Sequence, residues 1–392
     1  MRILFLSPRQ SLPARSGARL REYHFLRALG RTAEVTYLYF RDPAEEAIAA
    51  ADLPFCREAV GVPKPAAYGI GKNVRGLVGR WPLPILNYTS AAMSAAVEKA
   101  MAGRAFDIVH LDSIHMIRYA KQKPIYNWHN IESEAMRRFS STTASRARSL
   151  YAALTVSKLE RVEREILESA FGHIVCSERE RAQLAGIAPG ARIEVVENGV
   201  DTGYFSGLGD GAEGSRKVVF VGAMDYFPNS EAAVFFANQI WPHVRERMAG
   251  AELTIVGANP GPGVRALGDL PGVKVTGMVP DLRPYYRDAL AAVVPLRTGG
   301  GTRLKILEAM AAGVPVVSTP LGAEGLGVSD GEHALLVEAG DGEGWAAALV
   351  GLAERPERRR QLTEEGLRLV KGRYDWEILG EKLRSVYEGW LA

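Results

Sequence analysis

The sequence predicts an α/β protein made of two doubly wound, Rossmann-like domains, each on a parallel sheet. Three observations lead there. Short apolar runs recur along the 392 residues and alternate with segments of helical period. The runs are rich in Val, Ile and Leu throughout, as strands covered on both faces are. A glycine-rich, weakly patterned stretch near Gly203 to Ser215, with FSGLGDGAEGS, divides the series in two and reads as a linker.

In the first series, Ile3–Leu6 is the opening strand, followed by a loop from Ser7 to Gly17 with Pro8 and Pro13. A helix from about Ala18 carries Leu20, His24, Phe25 and Leu29 at helical spacing. Further strands are expected at Val35–Phe40, Ile108–Leu111, Ile125–Trp128, Phe171–Cys176 and Ile193–Val196, with a long helix from about Ser149 to Glu168. Ligands of such sheets bind beyond the carboxyl ends of the strands, so the loops after Leu6, Leu111 and Trp128 lie at the ligand edge. Asp112 and His129 fall in two of them. A capping role for Asp112 fits the pattern as well as a chemical one. Between Gly61 and Leu86 the pattern is irregular, and Lys64, Lys72, Arg75 and Arg80 interleave with Ile70, Val74, Leu77, Val78 and Trp81. That mixture suits a membrane surface or a lipid-linked acceptor, and equally a half-buried connection whose lysines and arginines reach out to water.

The second series runs Val218–Val221, Leu253–Val256, Val273–Thr276, Ala291–Val294, Val314–Ser318 and Ala334–Val337. A terminal helix from about Trp376 shows Trp376, Leu379, Leu383 and Val386 on one face and is expected to pack back on the first domain. The most informative stretch is PLRTGGGTRLKILEAMAAGVPVVSTP, Pro295 to Pro320. It reads as strand end, glycine loop, helix from about Thr302 to Ala312, and second strand, with Gly313 where a helix C-cap belongs. Gly299, Gly300 and Gly301 let backbone N–H groups approach a ligand, and the helix start adds partial positive charge. Arg303 and Lys305 place two cations where the macrodipole disfavours them, which points to a phosphate or diphosphate that offsets them. Glu308, one turn on from Lys305, is placed to bond sugar hydroxyls.

The composition is that of a soluble globular protein, 47% hydrophobic and 24% charged, with a net charge of +3. Residues 1–200 carry 28 basic and 20 acidic side chains, residues 201–392 carry 20 and 25, a difference that suits an anionic partner or surface at the first half and equally plain solvated faces. Two cysteines, Cys56 and Cys176, make no disulfide framework, and the apolar start is too short for a signal peptide. No run approaches a membrane span. A cytoplasmic protein is expected, with the basic-apolar stretch suited to the inner face of a membrane, and no nucleic-acid partner.

The order of several motifs is more specific than any one of them. SGARLREYHFL, NWHNIES, VVENGVDTGYF, FVGAMDYFPN, LTIVGANP, VTGMVPDLRPYY, GTRLKILEAMAAGVPVVST and GAEGL together resemble a GT-B-fold glycosyltransferase of the family 4 type (glycosyl transferases group 1). Within it the chain looks most like the sugar transferases associated with exopolysaccharide and exosortase (PEP-CTERM) systems. The resemblance implies two domains facing across a cleft: residues 1–203 on the acceptor side, joined by the helix 376–392, and residues 204–375 binding a nucleotide-sugar. It implies Glu308 on the ribose hydroxyls, Gly17 in a first-domain loop closing on the diphosphate, Gly222 and Thr302 beside the donor, and His129 near the reacting centre. Two family features are missing: the glutamate eight positions before Glu308 is Gly300, and Gly222–Asn229 lacks the usual Arg and Lys. Arg303 and Lys305 look like their replacements.

The expected reaction is retaining hexosyl transfer to a glycan or lipid-linked acceptor, with the nucleotide-sugar as co-substrate and no other cofactor. Lys305, Arg303 and backbone dipoles would stabilise the leaving diphosphate, His129 and Asp112 would act at the reacting centre, and no metal is called for by the sequence. Two other classes fit the architecture: a nucleotide-sugar epimerase, which needs an acid/base set in the cleft, and a non-enzymatic bilobed ligand-binding protein, which is typically exported.

Overall fold

The computed structural model describes all residues except 15, 68, 143–145, 209–213 and 300; at 70, 139, 141–142 and 146–148 it describes the backbone alone. The chain divides into two compact units, Met1–Asn198 with Leu379–Ala392, and Gly199–Ile378.

Seven parallel strands form the sheet of the first unit among the described residues: β1 (Arg2–Ser7), β2 (Glu34–Arg41), β3 (Glu58–Pro63), β4 (Ile108–Leu111), β5 (Pro124–Asn127), β6 (Gly172–Val175) and β7 (Ile193–Val195). Their order is β3-β2-β1-β4-β5-β6-β7. The chain steps outward from β1 to β3 and then restarts at β4, so the direction reverses between β1 and β4, where such sheets take ligands. Ile3 to Leu6 are fully buried because helices cover both faces. Strand β3 was not expected from the sequence. Its residues EAVGVP contain Gly61 and Pro63, and it is an edge strand pairing only with β2, where weak strand formers are tolerated.

Helix α1 (Gly17–Leu29) follows β1 and is capped by Ser16, whose Oγ accepts from the Arg19 N–H at 3.4 Å. The irregular stretch after β3 contains a helix, Ile70–Val78, on whose surface Val74, Leu77 and Val78 are exposed. The ammonium of Lys158, on helix α2 (Arg146–Ser169), donates to the carbonyls of Gly76 and Gly79 at 2.7 and 2.8 Å and so closes that helix's C-terminus.

The second unit carries β8 (Lys217–Val221), β9 (Glu252–Val256), β10 (Val273–Gly277), β11 (Ala289–Val294), β12 (Val316–Ser318) and β13 (Leu335–Leu336) in the order β10-β9-β8-β11-β12-β13, again all parallel. The reversal here lies between β8 and β11. Helix α3 (Phe227–Phe235) follows β8, and helix α4 (Leu304–Ala311) follows β11. Gly313, at φ +72°, ends the turn after α4, as its glycine suggests. Helix α4 is shorter than expected, because Arg303 takes the N-cap position.

The stretch expected as a linker starts inside the second unit. Phe205 and Leu208 are buried in its core, and the chain enters that unit already after Asn198. Helix α5 (Trp376–Leu391) closes the chain, and from Leu379 on it belongs to the first unit. Gly172 on β6 makes room for it: a Cβ there would stand 2.4 Å from the Trp390 ring. Among the described residues no helix is long and apolar enough to cross a membrane. Cys56 and Cys176 are both free thiols.

Candidate functional sites on the two sheets

Each unit gathers its polar side chains at the carboxyl edge of its sheet, at the reversal of strand order. In the second unit the site starts from the loop after β8. The Gly222 N–H donates to the Val256 carbonyl at 2.9 Å, and a Cβ on Gly222 would come within 2.8 Å of both Asn229 and the Lys305 Nζ. A glycine is needed there because two side chains cross the loop. Lys305, on the first turn of α4, reaches over the β8 edge. Its Nζ donates to Asn229 Oδ1 at 2.6 Å and lies 4.7 Å above the Phe220 ring. Asn229 is held in turn by its Nδ2, which donates to the Ala223 carbonyl at 2.9 Å. The ammonium of Lys305 thus stands beside the Gly222–Asn229 segment, which carries no cation of its own.

Burial pushes Lys305 down to about 7; Arg303 adds to this, and Glu308 opposes it. Burial likewise pushes Glu308 up to about 7, with Lys305 opposing. The Glu308 carboxylate has no hydrogen-bond partner among the described residues, and its charge helps to raise the buried Tyr286 hydroxyl. The pair is therefore held partly desolvated with capacity left for a ligand on both members. Gly299 and Gly301 have φ of +114° and +80°, which turns the loop before α4 in a way that side chains rarely allow. The Arg303 guanidinium is buried and donates to the Gly301 carbonyl at 2.8 Å. It braces the loop from within, where the sequence placed it as a cation on the first helical turn. Thr302 lies between loop and helix, and Gly300 falls outside the described residues.

In the first unit the centre is Asp112, fully buried just after β4. Its Oδ1 accepts from Asn127 Nδ2 at 2.6 Å and its Oδ2 from His129 Nε2 at 2.9 Å. It caps no helix; Ser113 does that, accepting from the His115 N–H at 3.3 Å. The capping reading of Asp112 is thereby replaced by a pairing with His129. Burial alone would raise Asp112, but His129, His110 and Arg9 hold it well below the usual carboxylate range. An ionised carboxylate only accepts, so His129 carries its proton on Nε2 and presents Nδ1 as an acceptor. Burial lowers His129 and Asp112 pulls it back up, leaving the imidazole below its ordinary value.

Several members of this site went unread in the sequence. The fully buried Arg21 of α1 donates through Nε and Nη2 to Asn127 Oδ1 at 3.0 and 2.9 Å, and through Nη1 to the carbonyls of Val196 and Glu197 at 2.8 and 3.0 Å. It ties α1 to the ends of β5 and β7. Tyr387 of α5 bonds His110 Nδ1, and His110 stacks on Phe5. Glu22 is buried against the Tyr37 hydroxyl and raised by burial and by Asp112. Arg21 and Glu22 sit in SGARLREYHFL and Asn127 in NWHN, so their motifs were visible while their roles were not. Gly17 is the first residue of α1. Among the described residues no three His, Cys, Asp or Glu side chains are grouped as a metal site.

Comparison with known proteins agrees with this architecture. Residues 17–204 match the family profile described as Glycosyltransferase Family 4, and residues 215–355 that described as Glycosyl transferases group 1. The chain is 32% identical over 244 residues to a phosphatidyl-myo-inositol mannosyltransferase of Mycolicibacterium smegmatis, covering 60% of this chain and 61% of that protein. It is 28% identical to a D-inositol 3-phosphate glycosyltransferase of Streptosporangium roseum, over 55% and 53% of the two chains. The match therefore spans less than two thirds of either relative. Among solved structures, the sucrose-phosphate synthase of Thermosynechococcus elongatus superposes with a TM-score of 0.70 at 19% identity over 99% of this chain and 98% of that one. HepE of Anabaena, in complex with UDP, gives 0.68 at 15% over 99% and 100%. These likenesses show the fold, GT-B.

Proposed function

On the premise that the chain carries a Glycosyltransferase Family 4 region followed by a Glycosyl transferases group 1 region, we propose that it moves a hexosyl group from a nucleoside diphosphate sugar to an acceptor with retention of configuration. The observation that carries this is the Lys305–Asn229–Glu308 arrangement at the reversal point of the second sheet. A diphosphate beside Lys305 supplies the negative charge that the desolvated ammonium lacks, and it restores the full charge of Lys305 as it binds. Glu308 takes the ribose hydroxyls. Gly222, Gly299 and Gly301 let backbone approach the phosphates. As the glycosyl bond breaks, charge grows on the leaving diphosphate, and Lys305 and oriented N–H dipoles stabilise it without a metal ion. A front-face course, in which the leaving phosphate takes the acceptor proton, accounts for retention. His129, held by Asp112, orients a sugar hydroxyl through Nδ1. HepE, of the same fold, was solved with UDP, and the sequence relatives are named for transfer to inositol-containing acceptors.

The acceptor side of this reading is a glycan or lipid-linked acceptor of surface polysaccharide synthesis, reached at the inner face of a membrane. Val74, Leu77 and Val78 are exposed on the helix Ile70–Val78, and Leu150 and Leu154 on α2, while Lys72 and Arg75 add positive charge. A thermal-shift screen with UDP, GDP, ADP and their sugar conjugates tests the donor site. One nucleotide is expected to raise the melting temperature of the wild type and not of Lys305→Ala. No shift from any of them would overturn the donor reading. Sugar transfer undiminished by EDTA supports the metal-free course, and Arg75→Glu with Val78→Glu is expected to weaken liposome binding.

A further inference from the structure

A pocket of about 490 Å³ lies in the second unit, at the other end of helix α4 from the donor-binding residues. That helix begins at the carboxyl edge of the sheet with Lys305 and Glu308 and ends at Ala311, which with Ala312 and Gly313 forms one wall of the pocket. Lys305 and Ala311 are six positions apart in the sequence, roughly 9 Å along a helix. Thr202 and the stretch Ser206–Leu208 form a second wall. The third is the helix Pro356–Leu369 with the π-turn Val370–Tyr374 that continues it. Arg359, Thr363, Leu367 and Lys371 recur there at every fourth position, so they make one row, with Arg360 and Glu364 beside it. The volume is that of a small-molecule site.

The positive charges of Arg359, Arg360 and Lys371 converge on this one pocket. Against them stand the Glu364 carboxylate and roughly half a negative charge at the carboxyl end of α4, which leaves an excess of roughly one and a half positive charges. The other cations of the same helix are bound within the protein: Arg358 donates to the Gly331 carbonyl at 2.6 Å, and Arg368 pairs with Glu365. Arg360 and Lys371 have no hydrogen-bonded or ion-paired partner among the described residues, and both line the pocket. The Thr363 hydroxyl between them has no hydrogen bond there either, whereas Thr202 donates to Asp375 and Ser206 to the Gly203 carbonyl. Leu208 and Leu367 add apolar surface beside the cations. A phosphate monoester brings about −1.5 to −2 of charge and three acceptor oxygens, which matches both the excess charge and the unused donors.

We propose that this pocket binds a phosphorylated small molecule, its phosphate among Arg359, Arg360, Thr363 and Lys371 and its organic part against Leu208 and Leu367. The arginines supply forked donors, Lys371 a point charge, and Thr363 a hydroxyl. The site is separate from the donor-binding residues, and it does not rest on the transferase reading above. A soluble phosphorylated compound and a lipid headgroup present the same group, and the same side chains would hold either.

The test is 31P line broadening with inorganic phosphate and with glycerol 3-phosphate. It uses the full chain carrying Lys305→Met, so that phosphate held by Lys305 does not contribute. In that background Arg360→Gln and Lys371→Gln are each expected to weaken binding about tenfold, the effect of losing one charge-assisted contact. Lys371→Arg should stay within about threefold. Arg368→Gln, on the same helix but outside the pocket, should leave binding unchanged. Arg360, Arg368 and Lys371 are all exposed, so these replacements leave the fold intact. Absence of phosphate binding, or an equal loss in Arg368→Gln, overturns the site. Sedimentation with phosphatidylcholine vesicles, with and without phosphatidic acid, separates the sources. Retention that needs phosphatidic acid and is lost in Arg360→Gln and Lys371→Gln assigns a lipid headgroup; binding of glycerol 3-phosphate without retention assigns a soluble ligand.

Discussion

Lys305 Nζ and Asn229 Oδ1 are 2.6 Å apart although 76 residues separate them, and this bond holds an ammonium over the loop after β8. It brings a charge from the helix after β11 to a segment, Gly222–Asn229, that has no lysine or arginine. The same placement desolvates Lys305.

Lys305 is therefore expected to lower the stability of the ligand-free protein. Its folded pKa, about 7, lies below the ordinary 10.5. The unfolded chain binds that proton more readily, so the penalty grows as pH falls from about 10.5 toward 7 and persists below. Lys305→Met should stabilise the ligand-free protein by ~1 kcal/mol, about 2–4 °C in Tm, while removing nucleotide binding. Calorimetry with and without nucleotide checks both halves.

Asp112→Asn keeps the size of the side chain and removes the charge that holds His129 in one tautomer. Catalysis should fall roughly 10²–10⁴-fold. Since Asp112 raises the His129 pKa, its loss should move the acid limb of the residual pH profile to lower pH. A limb that stayed in place or moved up would rule out the pairing as its origin.

Gly222→Ala places a methyl group 2.8 Å from Asn229 and Lys305. The ammonium has to move, so nucleotide affinity should drop about 10–100-fold. The loss of stability should be modest, ~1–3 kcal/mol, as in other overpacked sites. Titration calorimetry and denaturant unfolding separate the two effects.

Arg21→Met removes buried donors to Asn127, Val196 and Glu197 and leaves their acceptors unpaired. A loss of ~3–5 kcal/mol in unfolding free energy is expected. Urea titration measures it, and a change under ~1 kcal/mol would show that water replaces the guanidinium.

His115, half-buried and pushed down to about 3, stays neutral in the fold while the unfolded chain protonates near 6.5. Unfolding free energy should thus fall with acidification below about pH 6.5, by up to ~1.4 kcal/mol per pH unit for this group. His115→Gln should flatten the slope between pH 6.5 and 4, as read from unfolding curves at several pH values.

Much of the scaffold was legible. Ile3–Leu6 and Ala291–Val294 are uniformly apolar because helices cover both faces of each sheet, and such runs announce themselves. β3 was not legible, because an edge strand needs neither the apolar run nor the regular spacing. The stretch near Gly203 to Ser215 reads as a linker because glycine marks loops in general; that Phe205 and Leu208 are buried within it follows from contacts that composition does not encode. In the sites, Lys305 and Glu308 stood out by their place at a helix start. Arg303 stood out for the same reason, yet its guanidinium turns back on Gly301. Asn229, Arg21 and Tyr387 gave no local sign, since each acts on a residue brought near only by folding.

By itself the amino-acid sequence determined which segments become strands and helices, because periodicity and capping are local, and it placed glycines, cations and carboxylates at the ends of those strands. The tertiary structure alone decided which of these side chains meet, and with what charge. Asp112 is ionised and Glu22 is raised within one buried cluster because their partners differ: His129 and Arg9 stabilise the one, while desolvation and the charge of Asp112 act on the other. Desolvation and pairing depend on distances across the sheet, and those exist only once the chain has folded.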